Sequence, residues 1–146
     1  MIRPATVADI PFLVTRGPAY LREAAAGGTY SPEAAERSFR SMLAQEGYRV
    51  LVSDTDGQID GIAILAVDRA WTAEPWGYIQ SFYVDPKMRG VGIGRDLMKA
   101  AASFFDAAGC AATYALGTGD DRLFGNLAAK FGFKPEGRVF MRSAHA

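Results

Sequence analysis

Apolar positions change their spacing several times along the 146-residue chain, and those changes divide it into elements. Residues Met1 to Ala5 read as a short first strand. Thr6-Val7-Ala8-Asp9 then reads as a helix start, with Thr6 capping and Asp9 in the capping-box position. Ile10, Leu13 and Val14 lie on one side of that helix, and Gly17-Pro18 is expected to break or kink it. The run Tyr20 to Ala26 continues as helix up to the Gly27-Gly28 stop. Ser31-Pro32-Glu33 is a second start, combining a capping serine, proline at the first helical position and an acid in the first turn. This helix is expected to run to about Glu46, with Phe39, Met42 and Leu43 facing inward.

Period-two alternation follows. Tyr48 to Val52 reads as a strand, Asp54-Thr55-Asp56-Gly57 as a tight turn and Ile59 to Val67 as the returning strand of a hairpin. Asp68 to Trp76 is an irregular loop, and Tyr78 to Val84 is the next strand. Ile93, Leu97, Ala101, Phe104, Phe105 and Ala108 then recur at helical spacing, closed by Gly109. A strand at Thr113 to Leu116, a short helix at about Asp120 to Phe131 and a final strand at Arg138 to Arg142 complete the chain. The order β-α-α-β-β-β-α-β-α-β is an α+β pattern, and residues 1–146 form one expected domain without internal repeat or linker.

Composition narrows the function. Lys and Arg number 16 against 16 Asp and Glu, so nothing draws the chain non-specifically onto nucleic acid or anionic membrane. No apolar run approaches the roughly 18 residues of a spanning helix, and no signal-peptide core opens the sequence; a cytoplasmic location is expected. The single cysteine, Cys110, in the small apolar context Gly109-Cys110-Ala111-Ala112, excludes an internal disulfide and reads as a buried structural thiol. The only histidine, His145, lies at the very end of the chain, so a histidine-based triad is not expected. No cluster of metal ligands is visible, and no metal is expected.

Val84 to Met98 carries the densest chemistry. An apolar strand stops, glycines recur at 90, 92 and 94, and an amphipathic helix begins. Alternate glycines leave the backbone unfenced, so N–H groups at the positive end of a helix can converge on an anion, with the forked donor of Arg89 beside them. The dinucleotide fingerprint G-x-G-x-x-G fails in both frames, because Arg95 or Leu97 stands where its last glycine belongs. The nucleotide-triphosphate loop fails because no Gly-Lys-Ser/Thr follows.

The run instead resembles the R/Q-x-x-G-x-G/A signature of the GNAT superfamily of acyl-CoA-dependent N-acetyltransferases, with Arg89, Gly92 and Gly94 in its fixed places. A second stretch, Gly132-Phe133 followed by Glu136-Gly137-Arg138, is similar to the C-terminal "GF…EGR" stretch of that family. The resemblance covers essentially the whole chain. It implies a GNAT fold with a mixed central sheet of about six to seven strands, flanked by about four helices and splayed at the cofactor site. It implies acetyl-CoA as co-substrate, its pyrophosphate on Arg89, Gly90, Val91, Gly92, Ile93, Gly94 and Arg95, and its pantetheine arm on the backbone of Phe82, Tyr83 and Val84. Asp121 stands where the family commonly places a cofactor-contacting asparagine, and Ala128 where it often places the tyrosine that protonates the CoA sulfur. Tyr114 and Tyr83 are the candidate substitute acids.

Acetyl transfer to an amine needs the amine unprotonated. For a lysine-like amine near pKa 10.4 that costs roughly 4.6 kcal/mol at pH 7, so a base matters. Glu74 is the first candidate base, since enclosure by Trp71 and Trp76 would bring a loop carboxylate toward the range useful for proton transfer. Tyr30, Trp71 and Trp76 are candidate contacts to the acceptor, which the resemblance places under the first two helices and the loop before the cofactor strand. The expected function is direct transfer of acetyl to a primary amine on a small molecule or a protein. The other reading is a non-catalytic acyl-CoA-binding regulatory module, motivated by Ala128. The oligomeric state stays open, a homodimer included.

Overall fold

The computed structural model describes residues 1–24, 27–116, 122–137, 140 and 142. Five strands form one sheet in the order β1 (Ile2–Pro4), β2 (Tyr48–Thr55), β3 (Gln58–Asp68), β4 (Trp76–Val84) and β5 (Ala112–Ala115). The first four are antiparallel neighbours, and β5 lies parallel to β4. The β2–β3 hairpin turns at Asp56 and Gly57, whose φ values of 51° and 83° suit a tight right-twisted hairpin. The connection from β4 to β5 runs through α3 (Ile93–Ala107), the crossover a parallel pair requires.

Strand alternation separates two cores. Leu51, Ala63, Leu65 and Ile79 point to the face covered by α3, where Leu97, Met98, Ala101 and Phe105 meet them. The spacing of those four residues puts them on one helical stripe. Val50, Val52, Ile59 and Ile64 point to the opposite face, against Leu13 of α1 (Ile10–Glu23) and Phe39 and Met42 of α2 (Pro32–Leu43). The short helix α4 (Arg122–Ala129) joins the α3 side through Ala128. Gly77 of β4 has no side chain for a physical reason: a Cβ there would lie 2.5 Å from Cδ1 of Phe105.

Several expectations hold and several are corrected. Ser31 caps α2, its Oγ accepting from the Ala34 N–H at 3.2 Å, but the helix ends at Leu43, short of Glu46. The Asp9 carboxylate accepts from the Thr6 N–H at 2.7 Å across a single 3-10 turn, Val7–Asp9, that leads into α1. Helix α1 runs unbroken through Gly17-Pro18. Pro18 lacks the N–H that would bond the carbonyl of Val14 one turn back, and the Tyr30 hydroxyl donates to that carbonyl instead. The sheet has five strands among the described residues, below the six to seven expected. The expected strand over 138–142 falls mainly on residues outside the described ones.

Candidate functional site

Strand β4 is paired differently along its two halves. Trp76 to Ile79 are flanked by β3 and by β5, whereas Gln80 to Val84 have β3 on one side and no β5 partner among the described residues. The register passes from Leu65↔Ile79 to Ile64↔Ser81, so Gln80 is the extra residue of a β-bulge. A bulge bends and twists the strand that carries it. The consequence is an open backbone edge where β4 parts from β5.

That edge leads directly into the glycine loop. After Val84 come a 3-10 turn at Pro86–Met88, then Gly90 and Gly92 with φ of 84° and 100°, and then the first turn of α3. Such φ values favour glycine, and they let the chain reverse into a helix whose first N–H groups have no intrahelical partner. Val91 is 69% exposed, and the Arg95 side chain is also in solvent, bonded to Asp96 at 3.2 Å. Ile93 and Gly94 are half-buried, with Gly94 close to Leu127, Phe82 and Val84.

Arg89 is more engaged than its motif position indicates. Its Nε donates to the Val84 carbonyl at 2.9 Å, its Nη2 reaches Glu23 of α1 at 2.6 Å, and its guanidinium sits 5.6 Å from the Tyr83 ring centroid. The signature arginine therefore ties the end of β4 to the end of α1. Phe82 and Val84 turn toward the α3–α4 side, Phe82 edge-on to Phe124 at 5.4 Å. Tyr83 turns to the α1 side, is buried, and meets Tyr20 edge-on at 6.3 Å. Burial pushes the Tyr83 hydroxyl pKa up, and the carboxylates of Asp85 and Glu23 add to the shift. Asp121 lies outside the described residues.

On the α1–α2 side of β4 lies a cavity of about 200 Å³. Tyr20 and Ser81 share a hydrogen bond of 3.0 Å on its wall, and the Tyr30 ring lines it while the Tyr30 hydroxyl is spent on Val14. Trp76, Tyr78 and Tyr114 form an aromatic group on the same side. Tyr114 stacks on Tyr78 with centroids 4.7 Å apart and meets Trp76 at 6.3 Å, leaving itself 42% exposed. Burial raises the Tyr78 pKa, with Tyr114 as a further contributor.

The enclosure expected around Glu74 does not form. Trp71 is 92% exposed and Glu74 is exposed as well, because the loop from Asp68 to Trp76 runs outside both cores. Ala128, at the position of the usual tyrosine, is buried among core side chains and offers no hydroxyl. Reasoning from sequence missed Arg16, Asp60 and Asp85, which meet at one end of the cavity from α1, β3 and the residue after β4. Their separation along the chain carries no motif.

An open strand edge ending at a glycine loop and a helix N-terminus is a cradle for an extended chain that ends in phosphate. The sequence profile of the Acetyltransferase (GNAT) family matches residues 19–133, and the chain belongs to that family. No curated protein sequence matches it. Among solved structures, a "predicted acetyltransferase" from Clostridium acetobutylicum with acetyl-CoA superposes with a TM-score of 0.81 at 21% identity, over 98% of this chain and 95% of that one. An aminoglycoside N-acetyltransferase in complex with CoA gives 0.81 at 14% identity, over 100% and 95%. An aminoglycoside acetyltransferase from an uncultured soil metagenomic sample gives 0.77 at 18% identity, over 98% and 93%. At these identities the likeness is one of fold.

Proposed function

We propose that the protein, as a single domain over residues 1–146, is an acetyl-CoA-dependent N-acetyltransferase that moves acetyl directly to a primary amine. One observation carries this reading: the half of β4 from Gln80 to Val84, without a β5 partner among the described residues, runs straight into the glycine loop at the start of α3. An unpaired strand edge binds an extended amide chain as an added strand would. The backbone of Phe82, Tyr83 and Val84 is thus suited to the two amides of a pantetheine arm. The N–H groups of Gly90 to Arg95 suit a pyrophosphate, with Arg95, exposed and bonded to Asp96, as a cation near it.

Bound acetyl-CoA supplies a thioester, and the acetyl group passes from sulfur to the amine nitrogen as the C–S bond breaks and the amine gives up a proton. The chain's share is placement, which in well-aligned intramolecular reactions removes about 7–11 kcal/mol of barrier. Past the bulge at Gln80, the β4 backbone N–H groups not spent on β3 would hold the thioester carbonyl. Tyr20 and Ser81 offer two hydroxyls on the acceptor side of the same strand. Tyr114, on the strand that parts from β4, is the proposed proton source for the departing sulfur. Tyr30 lines the cavity offered to the acceptor, and the exposed Trp71, Glu74 and Trp76, outside that lining, are the proposed outer contacts. The site is expected to work in the cytoplasm; among the described residues no helix is long and apolar enough to cross a membrane.

The test is release of free CoA, followed with a thiol reagent across a panel of amines. Amine-dependent release supports the transferase. Tight acetyl-CoA binding with no release on any amine would favour the non-catalytic acyl-CoA module, the reading that the buried Ala128 supports.

A further inference from the structure

The cavity under α1 and α2 is polar at two places and apolar between them. At one place Tyr20 Oη and Ser81 Oγ sit 3.0 Å apart beside the bulge of β4. At the other, Arg16 pairs with Asp85, whose backbone N–H bonds the Asp60 carbonyl at 2.9 Å, so that Asp60 lies beside them in the cavity wall. Between them along β3 and β4 lie Ile62 and the Tyr83 ring, with Leu13, Phe39 and Ile64 also in the lining.

The charged end is not balanced. Arg16 is committed to Asp85 at 3.1 Å and to the Ile59 carbonyl at 3.0 Å. Asp60 is only 5% exposed, and its Oδ2 accepts from the neutral hydroxyl of Thr55 at 2.6 Å. Among the described residues its Oδ1 has no hydrogen-bond partner, and neither has Arg16 Nε. One guanidinium thus stands for two carboxylates in the cavity wall, and among the described residues the more buried carboxylate has no ion-pair partner. Burying a carboxylate without a paired charge is costly, and a ligand cation arriving in the cavity relieves that cost.

We infer that this cavity selects a slender aliphatic diamine, one ammonium held at the Asp60–Asp85 end while the other amine reaches the Tyr20–Ser81 end next to β4. The inference rests on the transferase reading for the fate of the second amine, but not for binding. Spacing agrees with it: Ser81 and Asp85 are four residues apart, about 13 Å along a strand, the reach of an extended chain of eight or so carbons with an amine at each end. The apolar lining suits methylenes and disfavours a polyhydroxylated sugar, and a volume of about 200 Å³ has no room for several rings.

The experiment is calorimetric titration of the whole protein, without acetyl-CoA, with octane-1,8-diamine and with octane-1,8-diol, a neutral chain of the same length. A charge-assisted contact to a buried carboxylate predicts that the diamine binds about tenfold or more tightly than the diol. Asp60→Asn, which keeps the shape and removes the charge, is expected to collapse that ratio toward one, and Asp85→Asn to reduce it. The ligand comparison on the unaltered protein needs no variant to fold. Equal binding of the two ligands, a ratio unmoved in folded Asp60→Asn, or tighter binding of the aminoglycoside sisomicin than of the diamine would each overturn the inference. Failure of the transferase reading is separate: it would show as no acetyl-CoA binding while the diamine preference persists.

Discussion

Replacing Tyr30 by phenylalanine removes a hydroxyl whose partner is the Val14 carbonyl, left without its helical donor by Pro18. Burial raises the Tyr30 hydroxyl pKa and so keeps it protonated and able to donate. Leaving a buried carbonyl unpaired costs about 1–3 kcal/mol, and Val14 is half-buried, so about 1.5 kcal/mol is expected. For a domain of this size that lowers the melting temperature by roughly 3–6 °C. Pro18→Ala supplies a backbone N–H to the same carbonyl, so in that background Tyr30→Phe should cost only about 0.5 kcal/mol. The difference, about 1 kcal/mol of coupling, is measurable by urea denaturation of the four proteins of the cycle. Equal costs of Tyr30→Phe in both backgrounds would refute the idea that Tyr30 repairs the helix.

Other consequences are quicker to state. Arg3 grips Asp9 through two contacts of 2.8 and 2.9 Å, and its hydrogen bonds hold the Asp9 pKa down at about 2 from an ordinary 3.8. A lowered carboxylate stabilises the fold above its unfolded pKa, so a contribution of about 2 kcal/mol should be complete above about pH 5 and fade as pH falls from 4 toward 2. In urea melts, the stability gap between the natural protein and Asp9→Asn should shrink over that range, and a constant gap would contradict the assignment. Gly77→Ala sets a methyl against the Phe105 ring and should destabilise by about 1–3 kcal/mol in thermal melts; a stabilised variant would show that the ring has room to shift. Arg89→Lys keeps the charge but loses the fork that joins Val84 to Glu23, and should raise KM for acetyl-CoA by about tenfold; an unchanged KM would mean the clamp is dispensable. Glu74→Gln should alter kcat/KM by less than about threefold, because the carboxylate is exposed rather than enclosed; a hundredfold loss would restore it as the base.

Local chemistry was readable wherever neighbours in sequence are also partners in space. The Ser31 cap, the Asp56-Gly57 turn, the stripe of Leu97, Ala101 and Phe105 and the glycine loop each declare themselves within a few residues. The unbroken α1 did not, because the donor that replaces the missing Pro18 N–H comes from Tyr30, beyond the end of the helix. Nor did the bulge at Gln80, which exists only in the register between β3 and β4. The charged end of the cavity draws Arg16, Asp60 and Asp85 from three elements, and hydrophobic periodicity says nothing about such a meeting. Glu74 illustrates the reverse: tryptophans nearby in sequence need not enclose a residue when the loop carrying them lies outside the cores.

The open edge of β4 above the glycine loop is the centre of the account, and calorimetric titration of the purified protein with acetyl-CoA tests it most directly. The account predicts saturable one-to-one binding in the micromolar range, weakened by Gly92→Val, whose side chain the φ of 100° disfavours and the loop backbone cannot shed. No heat of binding at high micromolar acetyl-CoA, or undiminished binding by a folded Gly92→Val, would contradict it.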